Sequence, residues 1–493
     1  MNQRLTRLAG RLRGELLLPD DPGYDDARRG YNSLHDRRPA VVVRPAVADD
    51  VARALEFARS ADLEVAVRSG GHSLAGYGAT EGGVLVDLSA MHAVQIDPGA
   101  RAARVEAGTT TGQLTTAAAA HGLVVPFGDS PTVGVGGITL GGGVGWLSRK
   151  LGLTIDSVEG VEIVTADGRL VTADEGTRAD LFWAVRGGGG NFGVVTRFRY
   201  RLHPIGTVLG GALLLPATGE VIRRVVDLAD AAADELTTIM LITRLPPLSM
   251  VPPEAHGRLA VLITLVWCGE LDAGEGVVDG FRAVAPPIAD LLGPRPYPSM
   301  YELLPEAPPS VTNITYSFMA DELNDEAIGS ILQRLEESGL PSTEALAAVE
   351  LRVLGGAISR LPGDATAYAH RQRKLLCSVV AAGFAEADPF QRGILFVTTI
   401  AAAVSTVLLI APAAQYRVLF RAGAKEQLLR RANRFALAGT LILGVAMVAA
   451  LLLILDFLFA RSLAIVMCAG VAALLLWAWQ IQPAITRARS SKV

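Results

Sequence analysis

Three glycine-rich segments between Arg68 and Thr196 constrain this chain more than any other feature. They are RSGGHS (Arg68–Ser73), SPTVGVGGITLGGGVGWLSRKLGLTID (Ser130–Asp156) and RGGGGNFGVVT (Arg186–Thr196). Bare backbone can press its amides against phosphate oxygens, and successive N–H groups form a nest for an anion. No Gly-Lys-Ser/Thr follows any of the three, which excludes a P-loop. Gly188 to Gly193 matches G-x-G-x-x-G, but the pattern predicts a helix before it (Asp180–Arg186) and a strand after it (Val194–Leu202). A dinucleotide-binding turn needs the strand first, so that match is spurious. One such cluster reads as a turn; three, the first also holding an arginine, a histidine and two serines, read as an anion-binding site.

The sequence around the glycines is α+β. Val41–Val43, Glu64–Arg68, Val84–Leu88, Val94–Asp97 and Arg104–Glu106 are short strand candidates. Asp49–Ser60 has helical spacing, and Thr111–His121 is an Ala-rich helix closed by Gly122. Val161–Thr165 and Leu170–Thr172 form a hairpin turning at Asp167-Gly168. Regular βαβ alternation is missing, which disfavours a doubly wound nucleotide fold. Further on, Val208–Leu215 and Leu259–Trp267 read as strands, and Gly269–Ala285 and Glu322–Ser338 as helices. His35, His92, His121, His203 and His256 sit in no motif.

The carboxy-terminal part differs in kind. Gly393–Ala414, Phe435–Leu455 and Ser462–Ile481 carry no charge from end to end. A bilayer core takes about 20 residues of helix, so these read as membrane spans. The net charge of −4 hides a split, because residues 391–493 hold eleven Lys/Arg against two Asp/Glu. The acidic remainder offers no footprint for nucleic acid. Cys268, Cys377 and Cys468 are too far apart for a disulfide scaffold or a thiolate zinc site, and no metal site is expected. Positive-inside bias puts Arg417–Arg434 and the tail in the cytoplasm. The amino-terminal residues contain no apolar run long enough for a secretory h-region, which points to a cytoplasmic body. Both expectations hold together only if the short apolar stretch Leu375–Phe384 dips into the bilayer.

RPAVVVRPA (Arg38–Ala46), VRSGGHSLAGYG (Val67–Gly78), Pro131–Val158 and DLFWAVRGGGGNFGVVTRF (Asp180–Phe198) come in one order and spacing. In these segments the chain resembles the berberine bridge enzyme-like FAD-linked oxidases of the vanillyl-alcohol oxidase/para-cresol methylhydroxylase (PCMH) superfamily. The likeness continues more weakly through Gly355–Pro362 and Thr366–Arg371. From about Phe384 the chain instead resembles an uncharacterised bacterial family of small four-span membrane proteins. The fold implied is α+β: a two-subdomain PCMH-type FAD-binding domain (1–205), an α+β substrate-type domain (206–383, incomplete at its end) and an all-α transmembrane segment (384–493).

The resemblance assigns roles. His72 aligns with the histidine bonded to the flavin 8α-methyl carbon, and a neutral imidazole is the nucleophile such a bond needs. Amides of Ser69, Gly70, Gly71, His72 and Ser73 would cradle the pyrophosphate, with added charge from Arg68. Gly136, Gly137, Gly142 and Gly143 would permit close approach to phosphate and ring, Asn191, Gly193 and Val194 would line the pyrimidine edge, and Ser130, Thr132, Val133 and Thr139 are implied as further cofactor-binding positions. Bicovalent relatives carry cysteine where this chain has Ser130, so one covalent link is expected. The relatives' closing Tyr-x-Asn-Tyr and Asp-Pro-x-Asn elements are absent, and no catalytic base is named. The leading expectation is a membrane-tethered FAD oxidase that takes a hydride from a small alcohol or amine, reduces dioxygen and contacts membrane lipid. The alternatives are a catalytically inactive flavin-binding domain serving a membrane module as sensor or scaffold, and a membrane protein whose first half is a relic of fusion.

Overall fold

The computed structural model describes residues 2–247, 251–303, 311–338 and 345–383, with scattered helical positions between 445 and 472. Residues 1–386 form one compact unit and residues 387–493 a second.

The part of the chain before Ile205 carries two main sheets. Strands β1 (Glu15–Leu17), β2 (Val41–Arg44), β3 (Val65–Arg68) and β4 (Val84–Asp87) form one in the order β1-β2-β4-β3, with β2 and β3 both parallel to β4. Helices α1 (Asn2–Ala9) and α2 (Tyr24–Arg28) flank it, and α3 (Ala48–Ala61) makes the crossover from β2 to β3. The crossover helix buries Val51, Ala54, Leu55 and Ala58, the apolar positions that share a face at helical spacing. The second sheet is antiparallel, in the order β5-β6-β10-β8-β9, from β5 (Val94–Asp97), β6 (Ala102–Glu106), β8 (Val158–Val164), β9 (Leu170–Ala173) and β10 (Val194–Arg201). Short β7 (Leu123–Val124) pairs with β11 (His203–Pro204). Both main sheets share a core that includes Val41, Val86, Leu114, Phe127, Ile163 and Phe198. Helix α4 (Thr111–Ala119) opens on a reciprocal Thr110/Gln113 cap and is followed by Gly122 at φ +66°. The long glycine segment becomes α5 (Val135–Gly141) and α6 (Ser148–Leu151), and α7 (Ala179–Val185) precedes the third cluster.

The rest of the first unit is an antiparallel sheet of eight strands: β12 (Thr207–Pro216), β13 (Leu236–Arg244), β14 (Leu259–Trp267), β15 (Ala289–Asp290), β16 (Gly293–Pro296), β17 (Thr312–Ala320), β18 (Ala345–Val353) and β19 (Leu375–Gly383). Its order is β15-β12-β14-β13-β18-β19-β17, with β16 also on β12. Helices α8 (Gly219–Ala231), α9 (Leu271–Arg282) and α10 (Asp325–Glu337) cover one face through a core of Ile222, Val278, Ile328, Val349 and Leu351. A short α11 (Ala357–Arg360) follows β18. The other face looks toward the glycine segments.

One expectation is corrected here. Leu375–Phe384 was expected to dip into a bilayer, but Leu375–Gly383 is β19, hydrogen-bonded along its length to β17 on one side and β18 on the other. The stretch is apolar because both its neighbours and one covered face bury it, with Leu375 and Cys377 in the helix-side core. Among the described residues no helix is long and apolar enough to cross a membrane. The three uncharged runs lie almost wholly outside the described residues.

Candidate active site

A cleft of about 800 Å³ separates the glycine segments from the bare face of the large sheet. Its first wall comes from the sequence that follows β3. There the chain turns through Gly71 at φ +78°, a conformation that favours glycine. This turn delivers His72 into the cleft. The imidazole stacks on Tyr31, with centroids 4.5 Å apart and planes 17° from parallel, and its Nε2 lies 3.0 Å from Thr132 Oγ1. Ser130 Oγ stands 3.3 Å from the same threonine hydroxyl.

The first two glycine clusters are brought together. A Cβ on Gly70 would run into the Gly134 backbone, and Gly136 N donates to Ser69 Oγ at 3.3 Å. The third docks beside them, with Gly189 N donating to Leu140 O at 3.0 Å. Helix α5 turns Gly137 and Gly141 to the cleft, and a Cβ on either would meet nothing within 4 Å. A flat ring or a phosphate can therefore reach bare helix backbone there. Of the expected cofactor residues, His72, Ser130, Thr132, Val133, Gly137 and Gly143 line this cleft.

Others do different work. Arg68 was expected to add charge at the pyrophosphate, but it is buried in an ion pair with Asp87 (2.9 Å) and donates to the carbonyls of Ala27 and Arg29. Burial alone would raise the Asp87 carboxyl, yet the Arg68 charge and hydrogen bonds from Arg68, Arg44 and Ser89 hold it below its ordinary value. Thr139 is buried and shares a 2.7 Å hydrogen bond with Tyr200 Oη, away from the cleft. Gly142 was expected to make room for the cofactor. It has φ +121°, and a Cβ there would stand 2.7 Å from the Tyr368 ring, so the room it makes is for Tyr368. Gly143, which does line the cleft, also leaves room on its other side for the Thr154 side chain. Ser73 Oγ accepts from Tyr77 N. Asn191, Gly193 and Val194 do not line the cleft: Asn191 bonds to Gly188 O, Gly193 packs on Val164 O, and Val194 is buried in β10.

The second wall holds residues that the sequence did not single out. Glu350 on β18 is level with Ser378 on β19, which is level with Ser317 on β17, and the two hydroxyls are 2.9 Å apart. Two residues along β18, on the same face, Arg352 reaches Glu350 at 2.7 Å and Asp129 at 3.0 Å. Burial opposes the guanidinium charge, but Asp129 and Glu350 outweigh it and hold its pKa above the ordinary value. Tyr301 donates to Gly128 O at 3.2 Å, and burial pushes its phenol up to about 12. Tyr368 is raised by burial as well. Cys377, the neighbour of Ser378 on β19, points into the opposite core, and burial pushes its thiol up to about 11. The signal for Glu350 and Arg352 was their spacing of two, which shares a face only once the segment is a strand.

Residues 39–174 match the family described as FAD binding domain, and residues 374–483 match a family of unknown function. The chain is 33% identical over 294 residues to (R)-6-hydroxynicotine oxidase of Paenarthrobacter nicotinovorans, covering 59% of this chain and 63% of that protein. It is 41% identical over 194 residues to an uncharacterized FAD-linked oxidoreductase of Bacillus subtilis, covering 39% and 43% respectively. The chain thus spans less than two thirds of the length of these two relatives. The crystal structure of 6-hydroxy-D-nicotine oxidase from Arthrobacter nicotinovorans superposes with a TM-score of 0.69 at 27% identity, covering 77% of this chain and 82% of that one. Xylooligosaccharide oxidase from Myceliophthora thermophila C1 gives 0.68 at 22%, covering 79% and 85%, a likeness of fold alone. Bare backbone at Gly137 and Gly141 beside a held histidine fits FAD, the cofactor of this fold. The chain is built on a PCMH-type FAD-binding fold, with residues 39–174 as its FAD-binding domain.

Proposed function

We propose that this protein is an FAD-linked oxidase that acts on a small alcohol or amine, with dioxygen as electron acceptor and His72 as the point of covalent attachment. The observation that carries this reading is one cleft with His72 on its first wall and Glu350 on its second. When bound, the flavin supplies a hydride acceptor for the substrate carbon. Thr132 orients the His72 ring through Nε2, and Tyr31 covers one of its faces. Glu350 takes the substrate's hydroxyl or amine proton. Tyr301 and Tyr368 are held protonated by burial, so they donate hydrogen bonds and do not compete as bases. The assembled Glu350, Arg352 and Asp129 favour an active enzyme over an inert flavin-holding scaffold. In the same reading residues 384–493 tether the enzyme to a membrane, supported by three uncharged runs beside eleven basic residues.

The test is a visible spectrum of the purified chain before and after acid precipitation. Flavin bands should follow the protein into the pellet, and His72→Ala should release them to the supernatant. Anaerobic substrate should bleach the bands, and Glu350→Gln should slow bleaching by roughly 100-fold or more. Flavin released equally from wild type and His72→Ala would end the covalent reading, and full-speed bleaching in Glu350→Gln would end the role of that carboxylate.

A further inference from the structure

Among the described residues, the carboxylates and guanidinium lining the cleft are those of Asp129, Glu350 and Arg352. The arrangement is not neutral, and its two signs are not equally presented. Arg352 keeps only 13% of its side-chain surface, while Glu350 keeps 21% and Asp129 34%. All three guanidinium nitrogens are engaged inside the protein: Nε and Nη2 with Glu350, Nη2 also with Asp129, and Nη1 with Val144 O at 3.3 Å. The cation is therefore buried behind its partners, and what reaches the cleft is acidic. Around this group the walls are apolar and aromatic. Trp146 and Tyr301 line the cleft with ring centroids 5.8 Å apart, and aromatic faces also attract cations.

We infer that the cleft selects a substrate carrying a positively charged nitrogen beside an apolar body, and that Asp129 is the residue that determines this preference. The inference rests on the reading of this cleft as the substrate site. A carboxylate with one oxygen tied to Arg352 and a third of its side-chain surface exposed has a place for one more cation. Glu350 then remains for the proton. Neutral polyols gain nothing from the uncompensated charge, whereas an ammonium group gains a charge-assisted contact.

The experiment uses the full-length, flavin-loaded protein in detergent and two probes of nearly equal shape, choline and neutral 3,3-dimethylbutan-1-ol. Each is titrated while the flavin absorption is followed, in wild type, Asp129→Asn and Asp129→Glu. Choline should bind wild type roughly 10- to 100-fold more tightly than the neutral alcohol. The preference should collapse toward one in Asp129→Asn, survive in Asp129→Glu, and weaken with added salt. Equal binding of both probes to wild type overturns the inference, as does a preference that survives in Asp129→Asn, or choline that leaves the spectrum unmoved up to its solubility. A purified protein with no flavin bands fails one step earlier, at the function proposed above.

Discussion

Asp87, with its side chain 1% exposed, answers to two arginines, Arg68 at 2.9 Å and Arg44 at 3.1 Å. Removing one member of such a pair strands the other charge in the interior, which costs about 3–5 kcal/mol. Asp87→Asn should therefore lower the unfolding free energy measured by urea titration by that much, and Arg68→Met combined with Asp87→Leu should recover a large part of it. His203 gives a pH test at the same scale. Burial, aided by the Arg201 charge, pulls its imidazole down to about 4 from an ordinary 6.5, and Ser157 Oγ lies 3.0 Å from its Nε2. Between those values the unfolded chain holds a proton that the folded chain does not. Stability from this group is complete above pH 6.5 and is lost as pH falls toward 4, by at most about 3 kcal/mol. Melting temperature measured against pH should show that slope in wild type and lose it in His203→Gln.

At the scale of elements, α5 and the turn after it separate two kinds of glycine. Gly142 is fixed by its backbone and by Tyr368, so Gly142→Ala should destabilise the protein, and Tyr368→Ala should relieve the steric part but not the strain of φ +121°. Gly137 faces open space inside a helix. Gly137→Ala should therefore stabilise the flavin-free protein by up to about 1 kcal/mol while lowering its flavin content, because the methyl occupies the cleft. Melting temperature and the ratio of flavin to protein absorbance, read on the same samples, should move in opposite directions. The sequence alone could not sort these positions, because the partner of Gly142 is Tyr368, in a distant part of the chain. Strands rich in β-branched residues, such as β2 and β14, were legible for the opposite reason, since their signal is local. β18, ALAAVELRV, has the composition of a helix and becomes a strand only because β13 and β19 pair on either side of it. That is why Glu350 and Arg352 escaped notice. β19 misled differently: a short apolar run between charged flanks has the same pattern whether lipid or a sheet covers it.

Across the whole first unit, the two halves are fastened by groups far apart in sequence. Arg371, completely buried, makes two bonds to Asp156, and Arg149 donates to the carbonyls of Leu354 and Ala232. Leu153, Ile155, Leu354, Ile358 and Tyr368 form one apolar cluster, and Val124, Trp146, Val208 and Tyr297 belong to another, each drawing on both halves. A seam with this much burial should make the halves unfold together. Asp156→Asn leaves the Arg371 guanidinium without its charge partner and should loosen Tyr368 as well, because Tyr368 sits beside Arg371 in the same loop. Calorimetry should then show one transition for wild type and a broadened or split one for Asp156→Asn. The same logic bears on what residues 387–493 do. Among the described residues the sheet ladder ends with β19 at Gly383, and residues 1–386 form a compact unit by themselves. A chain ended after Glu386 should therefore keep its flavin and its single transition, and should leave the membrane fraction without detergent, whereas the full chain should stay with the membrane until detergent is added. Loss of flavin on truncation would mean that residues beyond 386 complete the site. Release of the full chain by salt alone would instead mean that the uncharged runs do not enter the bilayer.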